Sequence, residues 1–122
     1  MKTPMAYCAG PYRARTIFGR AINIIRAWRV ARALWRKGYA VFCPHANSAM
    51  MDGAAPDKVF LEYGLKMVRM CDLFVFTRSD AYRISEGSDA EWTLAIRLFI
   101  PSYPNPEAVP TAKQFMNDRG YR

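Results

Sequence analysis

Short apolar runs alternate with longer segments of helical periodicity, and this alternation constrains the fold more than any other feature of the chain. The predicted strands are 5–9, 39–43 and 73–77, and the predicted helices are 16–37, 58–70, 92–99 and 111–117. Asp57 is the predicted cap of the second helix, and four prolines between 101 and 110 predict an irregular segment before the last. Strands that alternate with helices form a parallel sheet that is covered by helices on both faces. We therefore predict an α/β fold, a Rossmann-like or flavodoxin-like three-layer sandwich with four to five parallel strands, as a single domain over residues 1–122.

The first predicted helix has apolar side chains at intervals of four and three residues, which form one stripe, and its two tryptophans make it a candidate subunit interface. This stripe consists of Ile17, Ala21, Ile24, Trp28, Ala31 and Trp35, and it is widened by Ile25 and Leu34. The arginines that lie largely off the stripe are Arg26, Arg29, Arg32 and Arg36. They indicate a solvated face or a subunit contact. A nucleic-acid footprint is the alternative, although no aromatic residues interleave with the arginines on that face.

The composition points to an anionic partner. The net charge is +8, and thirteen of the eighteen basic residues are arginine, which favours nucleic acid or the phosphate of a nucleotide.

No apolar run approaches the ~20 residues of a membrane span, and the first residues are too polar for a signal peptide. We therefore expect a cytoplasmic protein without a membrane partner. Three cysteines without a C-x-x-C pair predict buried free thiols, and with a single histidine they make a zinc site improbable. We expect no metal and no cofactor.

The segments that follow the three predicted strands are expected to converge, because βαβ connections place the carboxyl ends of parallel strands at one edge of the sheet. This convergence brings together Tyr7, Arg13, His45, Asn47 and Glu91, which are distant in sequence. His45 and Asn47 suit contact with a sugar, phosphate or base. A structural hydrogen bond for the histidine and a turn for the asparagine are the simpler alternatives.

The segment after the first strand carries Gly10, Pro11, Arg13 and Arg15 just before the first helix. Cations at a helix N-terminus oppose the helix dipole unless an anion binds there, so these residues predict a phosphate site. An ordinary exposed basic turn is the alternative.

A second small-residue segment, SEGSDAE at 85–91, follows the third strand and is predicted to be a loop that delivers Glu91 into the first turn of a helix. Ser88 and Glu91 have the spacing of a capping box, in which the glutamate bonds the serine amide. The alternative is that the Glu91 carboxylate is a nucleophile toward an anomeric carbon, as in retaining glycosidases.

Four motifs in this order resemble the nucleoside 2-deoxyribosyltransferase-like superfamily, which includes deoxyribosyltransferases and nucleoside 5′-monophosphate N-glycosidases. They are YCAGPYR at 7–13, PHAN at 44–47, MCDL at 70–73 and SEGSDAE at 85–91. The resemblance covers roughly residues 5 to 100 and is nearest to small phage or bacterial members of uncharacterised function. It implies a single nucleoside deoxyribosyltransferase-like domain that assembles as a homodimer or larger homo-oligomer with a shared site.

The resemblance also implies roles for individual residues. Glu91 matches the nucleophile, and Tyr7 matches a tyrosine that positions the glutamate or the sugar. Gly10 and Arg13 match the first loop of the monophosphate hydrolases. The residues that match the second phosphate- or sugar-contacting loop are Ser85, Gly87 and Ser88. Transferases of free nucleosides usually carry an acidic residue in place of Ser85, so this serine, together with Arg13, favours a nucleotide over a nucleoside.

The chain departs from the family at Gly64, where members usually carry an aspartate that contacts the base and assists its departure. The candidates to replace it are Glu62, Asp52 and Asp57. We predict an enzyme that cleaves or exchanges the N-glycosidic bond of a (deoxy)nucleoside 5′-monophosphate. The alternatives are a non-catalytic nucleotide or nucleotide-sugar sensor, NAD-type glycohydrolase chemistry and a nucleic-acid binder. The last is disfavoured because no aromatic residues interleave with the arginines of the first helix.

Overall fold

Four parallel strands form the centre of the computed structural model, which describes residues 3–10, 14–44, 53–78 and 86–120, with the backbone alone for 86–89. The strands are β1 (Met5–Ala9), β2 (Ala40–Phe42), β3 (Leu73–Phe76) and β4 (Ser102–Tyr103). Their order in the sheet is β2-β1-β3-β4, and every neighbouring pair is parallel. The predicted α/β sandwich with a parallel sheet is therefore confirmed.

Helices cover both faces of this sheet. They are α1 (Ile17–Arg36), α2 (Asp57–Met70), α3 (Glu86–Arg97) and α4 (Ala112–Asp118), with a short 3-10 turn at Pro106–Ala108. Side chains alternate across β1, so Ala6 and Cys8 face one layer while Tyr7 and Ala9 face the other. The core on the side of Ala6 and Cys8 contains residues of α1 and α4. The core on the side of Tyr7 and Ala9 contains residues of α2 and α3.

The buried face of α1 differs from the predicted stripe. Its buried residues are Ala27, Val30, Ala31 and Leu34. Trp28 and Trp35, which belong to the predicted stripe, are 54% and 57% exposed, as a subunit interface would require of a monomer. Intervals of four and three fit two arcs of this helix equally well. The buried arc shares Ala31 and Leu34 with the predicted residues, and it leaves the tryptophans outside.

The two ends of α1 agree with the known preferences for capping residues, while the predicted cap of α2 is wrong. Thr16 caps α1 by accepting a hydrogen bond from the Gly19 amide at 2.9 Å, and Gly38 follows the helix with a φ of 100°. Asp57 was predicted to cap α2 but is its first helical residue. Pro56 occupies the cap position, with no side-chain hydrogen bond.

The third helix begins earlier than the sequence predicted. Helix α3 starts at Glu86, so Ser88 lies inside its first turn and Glu91 in its second. The predicted loop through 91 and the capping box with Ser88 at the cap position are therefore both wrong. Acidic residues are as typical of the first turn of a helix as of a loop, so the sequence pattern at 85–91 did not distinguish the two.

The segment from 101 to 118 was expected to be irregular before a short closing helix, but it also supplies β4. The Phe74 amide donates to the Pro101 carbonyl at 2.9 Å, which begins this pairing. The segment is then tied to the end of α1. Lys37 Nζ donates to the carbonyls of Pro106 and Val109, each at 2.6 Å, and the Tyr39 hydroxyl donates to the Pro110 carbonyl at 2.7 Å.

The three cysteines, Cys8, Cys43 and Cys71, are buried and free, as predicted. Across the ranges that the structure describes, no helix combines the length and the apolar character needed to span a membrane.

Candidate functional site

A buried tyrosine on the central strand β1 is the anchor of the candidate site. Tyr7 is fully buried, and its ring stacks on Phe42 of β2 and Phe74 of β3, with centroid separations of 5.7 and 5.5 Å. The register of the sheet explains this arrangement, because Tyr7 lies opposite both phenylalanines. The two flanking rings hold the phenol in one orientation, with its hydroxyl group toward α2 and α3.

The tyrosine hydroxyl donates a hydrogen bond to Glu91 Oε2 on α3. The two residues are separated by 84 positions in sequence, so the sheet and the helix packed on it create this pair. Glu91 is half-buried. A carboxylate that accepts a hydrogen bond from a rigid donor has a fixed direction, which is what a nucleophile or a general base requires.

The pKa of the Tyr7 phenol lies well above its ordinary value of 10.0. Burial is the largest cause, followed by the negative charge of Glu91 and the hydrogen bond to that carboxylate. The phenol therefore keeps its proton throughout the neutral range. Tyr7 acts as a hydrogen-bond donor toward Glu91, and not as a base.

Gly64 of α2 lies directly beside this pair. A Cβ atom at position 64 would collide with Glu91 Oε2 and would lie 3.1 Å from the Tyr7 hydroxyl oxygen. The sequence identified position 64 only as a departure from the family pattern. The signal that was available is a glycine inside a segment of clear helical periodicity, which often marks close packing.

The carboxyl ends of β1 and β3 also meet, as the convergence argument predicted. The Thr77 amide donates to the Ala9 carbonyl at 2.8 Å, and Thr77 is buried. A Cβ atom on Gly10 would overlap the Thr77 side chain. Gly10 is therefore required for close packing at this edge.

The other predicted site residues are distributed as follows. Pro11, Arg13, His45, Asn47 and Ser85 lie outside the described residues, as does Asp52. Gly87 and Ser88 belong to the first turn of α3, of which only the backbone is described. Arg15 is exposed, just before the start of α1.

The described candidates to replace an aspartate at position 64 do not join the Tyr7–Glu91 pair. Glu62 is exposed and precedes Gly64 by two residues, which is a rotation of about 200° around α2. Asp57 lies on the same side of the helix as Gly64 but about 10 Å away along its axis, and it is exposed.

Buried thiols lie close to the sheet but are suited to packing. The pKa of the Cys8 thiol is raised well above its ordinary value, first by its hydrogen bond to Cys43 and then by burial. A buried protonated thiol is a poor nucleophile. Among the described residues, no three His, Cys, Asp or Glu side chains are grouped so that they would hold a metal ion.

No protein-family model matches the chain, and the search of curated proteins finds no significantly similar sequence. The geometry of Tyr7, Glu91 and Gly64 and the ordered motifs of the sequence are therefore what points to a function.

Proposed function

We propose that the protein cleaves the N-glycosidic bond of a (deoxy)nucleoside 5′-monophosphate, or exchanges its base, with Glu91 as the nucleophile. The observation that supports this proposal is the hydrogen bond from the buried, protonated Tyr7 to the Glu91 carboxylate. The resemblance to the nucleoside 2-deoxyribosyltransferase-like superfamily, in which a tyrosine and a glutamate have these roles, is consistent with it.

In the proposed reaction a Glu91 oxygen forms a bond to C1′ of the sugar while the bond from C1′ to the base nitrogen breaks. The bonding electrons leave with the base, which takes up a proton. Water then attacks C1′ while the bond from C1′ to the Glu91 oxygen breaks. Its electrons restore the Glu91 carboxylate, the water gives up a proton to solvent, and the sugar phosphate leaves; attack by a second base in place of water completes an exchange. Tyr7 remains protonated and orients the carboxylate before attack and after release.

The preference for a nucleotide follows from charge. The net charge of +8 favours an anionic substrate, and Arg15 is exposed just before the N-terminus of α1. Arg13, Ser85, Gly87 and Ser88 are proposed to contact the phosphate or sugar, on the strength of the resemblance. A cytoplasmic location is part of the same proposal, since nucleotides are cytoplasmic metabolites.

The direct test is to incubate the protein with each ribo- and deoxyribonucleoside 5′-monophosphate and to measure the free base by chromatography. We expect Glu91→Gln to reduce base release by at least ~10³-fold, because an amide is a far weaker nucleophile than a carboxylate. Tyr7→Phe should reduce it by about 10- to 100-fold, the effect of losing a hydrogen bond to a charged group. Glu107→Gln, at an exposed glutamate of the 3-10 turn, is the matched control and should leave release unchanged. Equal release by the wild type and Glu91→Gln would refute the mechanism.

A second candidate is a nucleotide or nucleotide-sugar sensor that binds without cleaving. Gly64 favours this function, because it supplies no carboxylate where the family pattern has an aspartate that assists the leaving base. The sensor function predicts saturable binding in calorimetry with the ligand recovered intact. Recovery of free base from the calorimeter sample would exclude the sensor function.

We also propose that the chain forms a homodimer through the exposed face of α1. Large apolar side chains that are more than half exposed on this helix are Ile17, Phe18, Ile22, Ile25, Trp28 and Trp35. Together they expose on the order of 600–800 Å², comparable with the ~800 Å² that each partner contributes to a standard interface. This helix carries five arginines and no acidic residue, so salt should strengthen the dimer by screening like charges.

Sedimentation equilibrium at low and high salt tests the dimer. We expect Trp28→Glu combined with Ile25→Glu to give a monomer, while Lys58→Glu, on the exposed start of α2, should retain the dimer. A wild-type protein that is monomeric at all salt concentrations would contradict the proposal.

A further inference from the structure

Gly64 occupies a position in α2 where the usual reasons for a glycine do not apply. Its backbone is helical, and it is not among the described glycines with positive φ, which are Gly38, Gly53 and Gly120. Alanine forms helix better than glycine. A demand for conformational freedom therefore does not explain why glycine is present in the middle of this helix.

Space provides the explanation. Gly64 is buried on the same side of α2 as Val68, one turn later, and this side packs against the layer that contains Tyr7. A Cβ atom at position 64 would overlap Glu91 Oε2 and approach the Tyr7 hydroxyl oxygen to 3.1 Å. Both of these atoms belong to the one hydrogen bond that joins Tyr7 to Glu91.

We propose that Gly64 is a positioning residue for Glu91: its missing side chain leaves the space in which the carboxylate lies while it accepts the hydrogen bond from Tyr7. The first atoms that a Cβ would meet are at the end of the flexible Glu91 side chain. A side chain at position 64 therefore displaces the carboxylate more readily than it unfolds the protein.

The space beside Gly64 also accounts for the absence of the aspartate that the resembled family usually carries at this position. An aspartate at position 64 also carries a Cβ atom, so it cannot share this space with the Glu91 carboxylate as it lies here. Gly64 and the Tyr7–Glu91 hydrogen bond belong to one arrangement, and restoring an aspartate should disrupt that arrangement. The consequence for catalysis rests on the proposed function, whereas the positioning role does not.

A double-mutant cycle tests the positioning role by comparing the wild type, Gly64→Ala, Glu91→Ala and the double variant. Without the Glu91 carboxylate, the overlap at position 64 is gone and the 3.1 Å approach to the Tyr7 hydroxyl oxygen remains. The better helix propensity of alanine should then raise the midpoint of urea unfolding. With Glu91 present, the same substitution should raise the midpoint less or lower it. Additive effects of the two substitutions would overturn the proposal.

A spectroscopic signal reports directly on the hydrogen bond. In protein labelled at the tyrosine Cζ carbon with ¹³C, the Tyr7 resonance is identified by its loss in Tyr7→Phe. At pH 7 we expect Gly64→Ala and Gly64→Asp to shift this resonance in the same direction as Glu91→Ala does. Lys66→Ala, at an exposed position on the same helix, is the control and should leave the resonance unchanged. If folded Gly64→Ala gives the Tyr7 resonance at the wild-type chemical shift, the inference is contradicted.

Activity measurements separate this inference from the proposed function. If the protein releases base, Gly64→Ala should lower kcat at least tenfold with little change in KM, because the substrate contacts remain. If the wild type releases no base, the proposed function fails, while the cycle and the resonance still decide whether Gly64 positions Glu91.

Discussion

The buried thiol of Cys71 makes the stability of the protein depend on pH in a way that one substitution should reveal. Cys71 follows α2 and is buried in the core that contains Tyr7 and Val68. Burial, and secondly the charge of Asp72, raises the pKa of the Cys71 thiol from 9.0 to about 12. The folded state therefore holds this proton more tightly than the unfolded state does.

The sign and the size of this change in the free energy of unfolding follow from proton linkage. A group whose pKa is raised on folding contributes its stability fully below the unfolded pKa of 9.0 and loses it as the pH rises toward about 12. The loss is about 1.4 kcal/mol for each pH unit, or about 4 kcal/mol over the whole range. Cys71→Ala removes the titration and costs about 1 kcal/mol of apolar burial at neutral pH. The variant should therefore be less stable than the wild type at pH 7 and more stable above roughly pH 10.

The assay is urea unfolding in a reducing buffer at several pH values from 7 to 10.5, followed by far-ultraviolet circular dichroism. Val68→Ala is the matched control, because it removes buried atoms from the same core without removing a titratable group. Its free-energy difference from the wild type should stay constant with pH, whereas that of Cys71→Ala should change sign. A difference for Cys71→Ala that is the same at pH 7 and pH 10.5 would refute the reasoning.

Three further substitutions test local features of the fold by thermal or urea unfolding. Phe99 is 89% exposed and has a φ of 58°, so Phe99→Gly should raise the free energy of unfolding by about 1 kcal/mol, while the neighbouring control Leu98→Gly should not raise it. Thr16→Ala removes the cap of α1 and should lower the free energy of unfolding by about 1 kcal/mol, and unchanged stability would contradict the capping role. Gly10→Ala should lower it by about 2 kcal/mol because the new methyl group overlaps the Thr77 side chain, and a neutral effect would show that this edge of the sheet relaxes.

Much of the architecture could be predicted from the sequence because it depends on local patterns. The apolar run of β1 and the long helix that ends before Gly38 were placed within a residue or two. The expectation that Tyr7 and Glu91 lie close together followed from the alternation of strands and helices. Their hydrogen bond agrees with that expectation, while their roles in catalysis stay predictions.

The features that the sequence did not predict depend on contacts between distant segments. Strand β4 has only two residues in a proline-rich segment, and it is defined by its pairing with β3. The buried face of α1 could not be chosen from spacing alone, because two arcs of this helix carry apolar residues at helical intervals. The space beside Gly64 required knowledge of where Glu91 lies on another helix, which no periodicity within α2 could supply.

The attachment of segment 106–118 to the end of α1 has a consequence for how the protein is made. Val109, Phe115 and Met116 complete the core on the α1 side, and the bonds from Lys37 and Tyr39 hold their segment in place. During translation, the apolar surface formed by β1, β3 and α1 therefore stays open to solvent until this segment leaves the ribosome.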